Sequence, residues 1–113
     1  MPHEQHQSCI EACVGCAQEC DHCAEACLSE ADMKFLANCI RLDKQCAAVC
    51  WLAASFMSQG SDFAADLCRV CADVCDACGE ECERHQDMEH CRRCAAACRR
   101  CAAECRRMAG AAV

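Results

Sequence analysis

Residues 9–27 read CIEACVGCAQECDHCAEAC, and their six cysteines (Cys9, Cys13, Cys16, Cys20, Cys23 and Cys27) advance in alternating steps of four and three. That alternation holds every cysteine at an a or d position of a heptad. A helix gathers residues so spaced on one face; a strand, with its period of two, scatters them. The pattern returns in Cys68, Cys71, Cys75, Cys78 and Cys82, and again in Cys91, Cys94, Cys98, Cys101 and Cys105. A fourth stretch keeps the register with gaps, its seam reading Leu36, Cys39, Asp43, Cys46, Cys50, Ala53 and Met57. The expected fold is all-α: one domain, 1–113, forming an antiparallel up-down-up-down four-helix bundle with a cysteine-lined core. The helices are expected at about 4–28, 31–58, 62–84 and 87–109.

The connections carry stop and start signals. Leu28-Ser29-Glu30 separates the first two helices, with Ser29 expected to cap the second. In Ser58-Gln59-Gly60-Ser61, Gly60 suits the C′ position and Ser61 the next N-cap, with Asp62 at the positive end of the dipole. Arg84-His85-Gln86-Asp87 makes the third connection. The first helix has two possible starts, Pro2 at N1 or a capping box of Ser8 and Glu11. Helix two also carries a second apolar stripe, Phe35, Leu42, Val49 and Phe56, joined by Ile40, Trp51 and Leu52. Either this helix is the most central packing element or its outer face buries against another protomer. We favour the second and expect a homo-oligomer.

Nineteen of the 113 residues are cysteine, while Leu, Ile, Val, Phe and Trp are few. Buried thiols behave as small hydrophobes, so they must supply most of the core. A secreted disulfide scaffold is disfavoured on three grounds. Met1–Ser8 has neither the basic nor the apolar region of a leader, the cysteine count is odd, and only four Gly and one Pro are present. No apolar run is long enough for a membrane. The expected compartment is the reducing cytosol. A net charge of −7 without a basic arm argues against nucleic acid. Residues 61–86 are mainly acidic and 87–113 mainly basic, as suits neighbouring helices whose outer faces attract.

Eight C-x-x-x-C pairs (9/13, 16/20, 23/27, 46/50, 71/75, 78/82, 94/98 and 101/105) place thiols one helical turn apart. Their Cβ atoms, about 5–6 Å apart, are too distant for an unstrained disulfide. Two thiolates turned inward can instead hold a soft metal ion, which narrows the candidates to Cu(I), Zn(II) and iron–sulfur clusters. Zinc sites use four ligands, usually from C-x-x-C knuckles, whereas the six C-x-x-C steps here lie inside helical heptads. The ferredoxin spacing is missing. Cu(I) accepts two or three sulfurs, and each ion can replace one thiol proton without charging the interior. Cu(I), many ions per chain, is the favoured cargo, and zinc or general soft-metal detoxification in the manner of a metallothionein is the alternative. A thiol redox enzyme would need one thiol set apart from its neighbours, and none stands out. No catalytic residue is expected.

The repeated C-x-x-x-C and C-x-x-C steps resemble those of the bacterial copper storage proteins, in their cytosolic form. The resemblance covers essentially the whole chain. It implies a four-helix bundle, a homotetramer of bundles, and storage of Cu(I) chiefly on C-x-x-x-C pairs, with all nineteen cysteines as the metal set. The sequence departs from a uniform pattern at Asp43, which stands where a cysteine would pair with Cys39. Asp43 is read as an oxygen ligand, a hydrogen-bond partner of thiols, or a residue at the bundle edge. Cys39, Cys68 and Cys91 have no cysteine four residues on and need partners on other helices. At one end of the bundle His6, Met57 and Met108 meet small Ala53 and Ala64, and copper uptake is expected there unless the methionines merely cap the core. At the other end Phe35 and Leu36 are expected to form a plug near His85 and Met88. His3, His22 and His90 are read as surface residues.

Overall fold

The computed structural model describes residues 6–111. Its α-helices are α1 (Gln7–Leu28), α2 (Ala37–Ser58), α3 (Ala64–Glu83) and α4 (Glu89–Ala111). A 3-10 turn, Met33–Leu36, leads into α2. Pro2 and His3, proposed at the start of the first helix and on the surface, lie outside the described residues. The four helices form a ring. Each packs on its chain neighbours and α4 closes on α1, while the diagonal pairs approach nowhere within 8 Å between Cα atoms among the described residues. The result is a rod of 47 × 18 × 18 Å. Its length is about that of a 22-residue helix at 1.5 Å per residue plus the end connections.

Why these residues make this bundle follows from the seams. In α1, all six cysteines face inward, with Ala12, Ala17 and Ala24 filling the flanks. The thiols are small, so the helices can approach closely. At Gly79 α3 comes close to α4: a Cβ there would lie 3.3 Å from Cys98 Cβ. Outside, charge fastens α3 to α4. Arg99 bridges Asp76 (3.2 Å) and Glu83 (2.8 Å), and Arg106 bridges Asp73 (3.2 Å) and Asp76 (2.6 Å). These pairs join the acidic and basic segments of the sequence, although exposed pairs stabilise by only about 1 kcal/mol or less each.

The connections differ in part from expectation. Gly60 does take the C′ place, at φ 66°. Its N–H donates to Met57 O (3.1 Å) and that of Ser61 to Phe56 O (3.0 Å), the paired bonds of a Schellman motif. Ser61, however, is not the N-cap of α3. Phe63 holds that place without a side-chain cap, and Ser61 Oγ accepts the Phe63 N–H (3.1 Å) one turn early. Ser29 does not cap helix two; it is the C-cap of α1. Helix two proper begins later than residue 31 because the Met33–Leu36 turn intervenes. Nor do Ser8 and Glu11 form a capping box. The N-cap is His6, and the Ser8 hydroxyl donates across to Glu104 (2.6 Å).

Candidate metal centre

All nineteen cysteines are free and buried, and Cys9 alone has any measurable exposure, 3%. The interior is therefore a tube lined with sulfur, and its arrangement follows from helix register. Along α1 and α4 the thiols pair antiparallel as Cys9–Cys105 (3.7 Å), Cys13–Cys101 (3.6 Å), Cys16–Cys98 (3.7 Å), Cys20–Cys94 (3.6 Å) and Cys23–Cys91 (3.8 Å). Along α2 and α3 the ladder reads Cys39–Cys82 (3.7 Å), Asp43–Cys78 (3.2 Å), Cys46–Cys75 (3.5 Å) and Cys50–Cys71 (3.6 Å). The two ladders touch, for example at Cys16–Cys46 (3.8 Å) and Cys50–Cys101 (3.8 Å).

Within a helix, the C-x-x-x-C sulfurs stand farther apart. Cys16–Cys20, Cys46–Cys50 and Cys101–Cys105 are at 3.9 Å, Cys71–Cys75 at 3.8 Å, and Cys23–Cys27 and Cys94–Cys98 at 4.0 Å. The sequence suggested ligand pairs within helices. The structure joins those pairs into one network through cross-helix contacts that are at least as short. Two sulfurs sharing one ion at about 2.3 Å, the zinc–thiolate length, and about 120° apart are separated by about 4 Å. The tube thus has the spacing for shared metal ions. Groups of four donors recur along it: Cys13, Cys71, Cys101 and Cys105; Cys16, Cys46, Cys50 and Cys75; Cys20, Cys78, Cys94 and Cys98.

Asp43 lies among Cys39, Cys78, Cys82 and Cys94 and is wholly buried, which removes the bundle-edge reading. Its Oδ1 accepts from Cys78 (3.2 Å), Cys94 (3.3 Å) and Cys82 (3.7 Å), and its Oδ2 from Cys39 (3.8 Å). Burial first, then the neighbouring Cys94 and Cys39, push its carboxyl up to about 9, with hydrogen bonds from Cys78 and Cys23 opposing. Near neutral pH this keeps a proton on the carboxyl, which then places no charge of its own among the thiols. Burial likewise pushes the Cys27 thiol up, with Cys39 and Cys91 adding to it.

The ends of the tube depart most from the sequence reading. His90 is not a surface residue. Its Nδ1 lies 3.5 Å from Cys23, 3.6 Å from Cys91 and 3.9 Å from Cys27, and these four form a donor group. Its Nε2 lies 3.2 Å from Glu30 Oε1 at the surface. A carboxylate on Nε2–H fixes the tautomer and aims the Nδ1 lone pair at the thiols. The only sequence signal was adjacency to Cys91 near a helix start, where a flanking ring can turn over the end of the bundle. The expected plug is half present: Leu36 is buried, but Phe35 is 65% exposed. Phe35 lies edge-on to His85 (centroids 5.2 Å apart). The buried His85 donates from Nε2 to Glu81 (2.9 Å), which also accepts from Asn38 (2.9 Å). Burial raises Glu81, but His85, Asn38 and Arg84 outweigh it and hold the carboxyl below its usual value. This cluster ties the start of α2 to the end of α3. At the opposite end Met57 is fully buried, Met108 nearly so, and His6 half-buried at the start of α1. Met57 Sδ lies 3.7 Å from Cys68 Sγ.

Comparison with known proteins agrees with this geometry. The profile of the family described as copper storage protein matches residues 2–110. The Cu(I)-bound copper storage protein BsCsp3 superposes with a TM-score of 0.87 at 47% identity, over 96% of this chain and 99% of that one. A cytosolic copper storage protein from Streptomyces lividans, carrying five coppers, does so at 0.91 and 44% identity, over 96% and 95%. An uncharacterized cysteine-rich protein of Bacillus subtilis is 48% identical over 65 residues, 58% of this chain and 60% of that protein.

Proposed function

The chain belongs to the copper storage protein family, and from that premise we propose that it stores many Cu(I) ions on the thiolates inside its bundle. The observation that carries this is the sulfur tube: nineteen buried thiols free of disulfides, with neighbouring sulfurs 3.5 to 4.0 Å apart. Every ion that enters as Cu⁺ displaces one thiol proton, so the interior stays neutral as it fills. A tetrahedral zinc site of four thiolates would leave two negative charges in the same space, at a cost of several kcal/mol. All nineteen cysteines are the ligand set. Asp43 is an oxygen donor within the Cys39, Cys78, Cys82 and Cys94 group. His90 is the donor at the Glu30 end of the tube, joining that surface carboxylate to Cys23, Cys27 and Cys91.

Storage needs no turnover, and the reading is of a binding protein acting in the cytosol, the compartment of the Streptomyces relative. The outer face of α2 leaves Trp51 and Leu52 exposed, and we assign it to a homo-oligomer, a tetramer by the family resemblance. No described helix is long and apolar enough to cross a membrane.

The test is metal competition. Reduced, metal-free protein is offered equal amounts of Cu(I) and Zn(II) without oxygen and examined by native mass spectrometry. The expected spectrum shows copper adducts extending to on the order of one per thiol and excluding zinc. A spectrum of one or two zinc ions with little copper contradicts the reading.

A further inference from the structure

Cys68 stands at a gap in the sulfur ladder. The next rung below Cys50–Cys71 would set Ala53 opposite it, and alanine offers no donor. Position 64 and position 72, one turn to either side, are also alanine. Met57, one turn beyond Ala53 on the same seam, turns its thioether into the space instead. The Cys68–Met57 sulfur separation of 3.7 Å matches the other rungs, and both side chains are fully buried.

We propose that Met57 and Cys68 form a mixed thioether–thiolate Cu(I) position at the end of the tube opposite His90. The proposal rests on the copper storage reading and adds a ligand class to it. On binding, Cu⁺ replaces the proton of Cys68, which leaves to solvent; one Cu–S bond forms to the thiolate and one to a lone pair of the Met57 sulfur. No electron changes hands. The neutral thioether makes the unit charge-balanced with one thiolate alone. A pattern among the cysteines supports this. Cys39, Cys68 and Cys91 have no cysteine four residues on, and each meets a donor that is not a thiol: Asp43 at 3.8 Å, Met57 at 3.7 Å and His90 at 3.6 Å. Methionine often fills gaps in cores through its flexibility alone. Here its sulfur lies within reach of the thiol, 3.7 Å from Cys68 Sγ.

The experiment uses selenium as a reporter. Selenomethionine protein with Met33→Leu, Met88→Leu and Met108→Leu keeps Met57 as its only selenium after residue 1. Such swaps conserve volume and are usually tolerated. It is loaded with Cu(I) without oxygen, and absorption fine structure is recorded at the selenium edge. The expected result is a selenium–copper shell, absent before loading and lost on adding Met57→Leu, with copper capacity falling by about one ion. A copper-filled protein with no such shell, or with one that survives Met57→Leu, overturns the Met57 site and leaves storage standing. A protein that takes up no copper overturns both.

Discussion

At the scale of residues, Asp43 shows what a single buried carboxyl does to the metal-free protein. Its carboxyl ordinarily titrates near 3.8 and is raised to about 9 in the fold. Between those values the native state holds a proton that the unfolded chain has released, so stability falls as pH rises. The slope is about 1.4 kcal/mol per pH unit, at most about 4 kcal/mol from pH 5 to 8. Urea unfolding of the reduced, metal-free protein at several pH values should show this fall, and Asp43→Asn should flatten it. Equal slopes in the two proteins would contradict the assignment. The departure of Asp43 from the cysteine pattern was plain in the sequence, but its partners were not, because three of them lie on α3 and α4. His90 lies off the cysteine seam of α4, and seam position alone therefore reads it as a surface residue. At a bundle end, a flanking ring escapes that rule.

At the scale of elements, heptad phase determines α1, α3 and α4, because only one helical face carries their cysteines. The start of α2 was harder to read. No glycine or proline lies between Leu28 and Ala37, so nothing local announced the 3-10 turn. What sets it is tertiary: Leu36 buries while Phe35 swings out onto His85. Gly60 was legible because a left-handed C′ residue is a local requirement. Gly60→Ala should therefore cost about 1–2 kcal/mol by forcing a side chain into that conformation. Gly15→Ala should act oppositely. Its new methyl meets nothing within 4 Å, and a mid-helix alanine is favoured by up to about 1 kcal/mol. Thermal unfolding of the two metal-free variants should shift in opposite directions.

At the scale of the whole molecule, a narrow rod built on thiols and alanines has little bulk in its core, and on the outside of α2 Trp51 and Leu52 stay exposed while Ile40, Leu42, Val49 and Phe56 pack partly against the core. Leu52→Glu, at an exposed position, should shift sedimentation from an assembly to the 12.3 kDa chain, with copper uptake per chain unchanged. Wild-type protein sedimenting as a monomer would contradict the assigned interface. Because helix register sets the tube, it should form without metal, unlike sites that fold only on binding. Filling it should stabilise the native state by linkage. The measurement that tests this most directly is anaerobic titration of the reduced, metal-free protein with Cu(I) against a competing chelator, followed by circular dichroism. A chain already helical when empty, taking up on the order of one Cu(I) per thiol, is the predicted result. Uptake of only a few ions, or helix that forms only as metal is added, would contradict it.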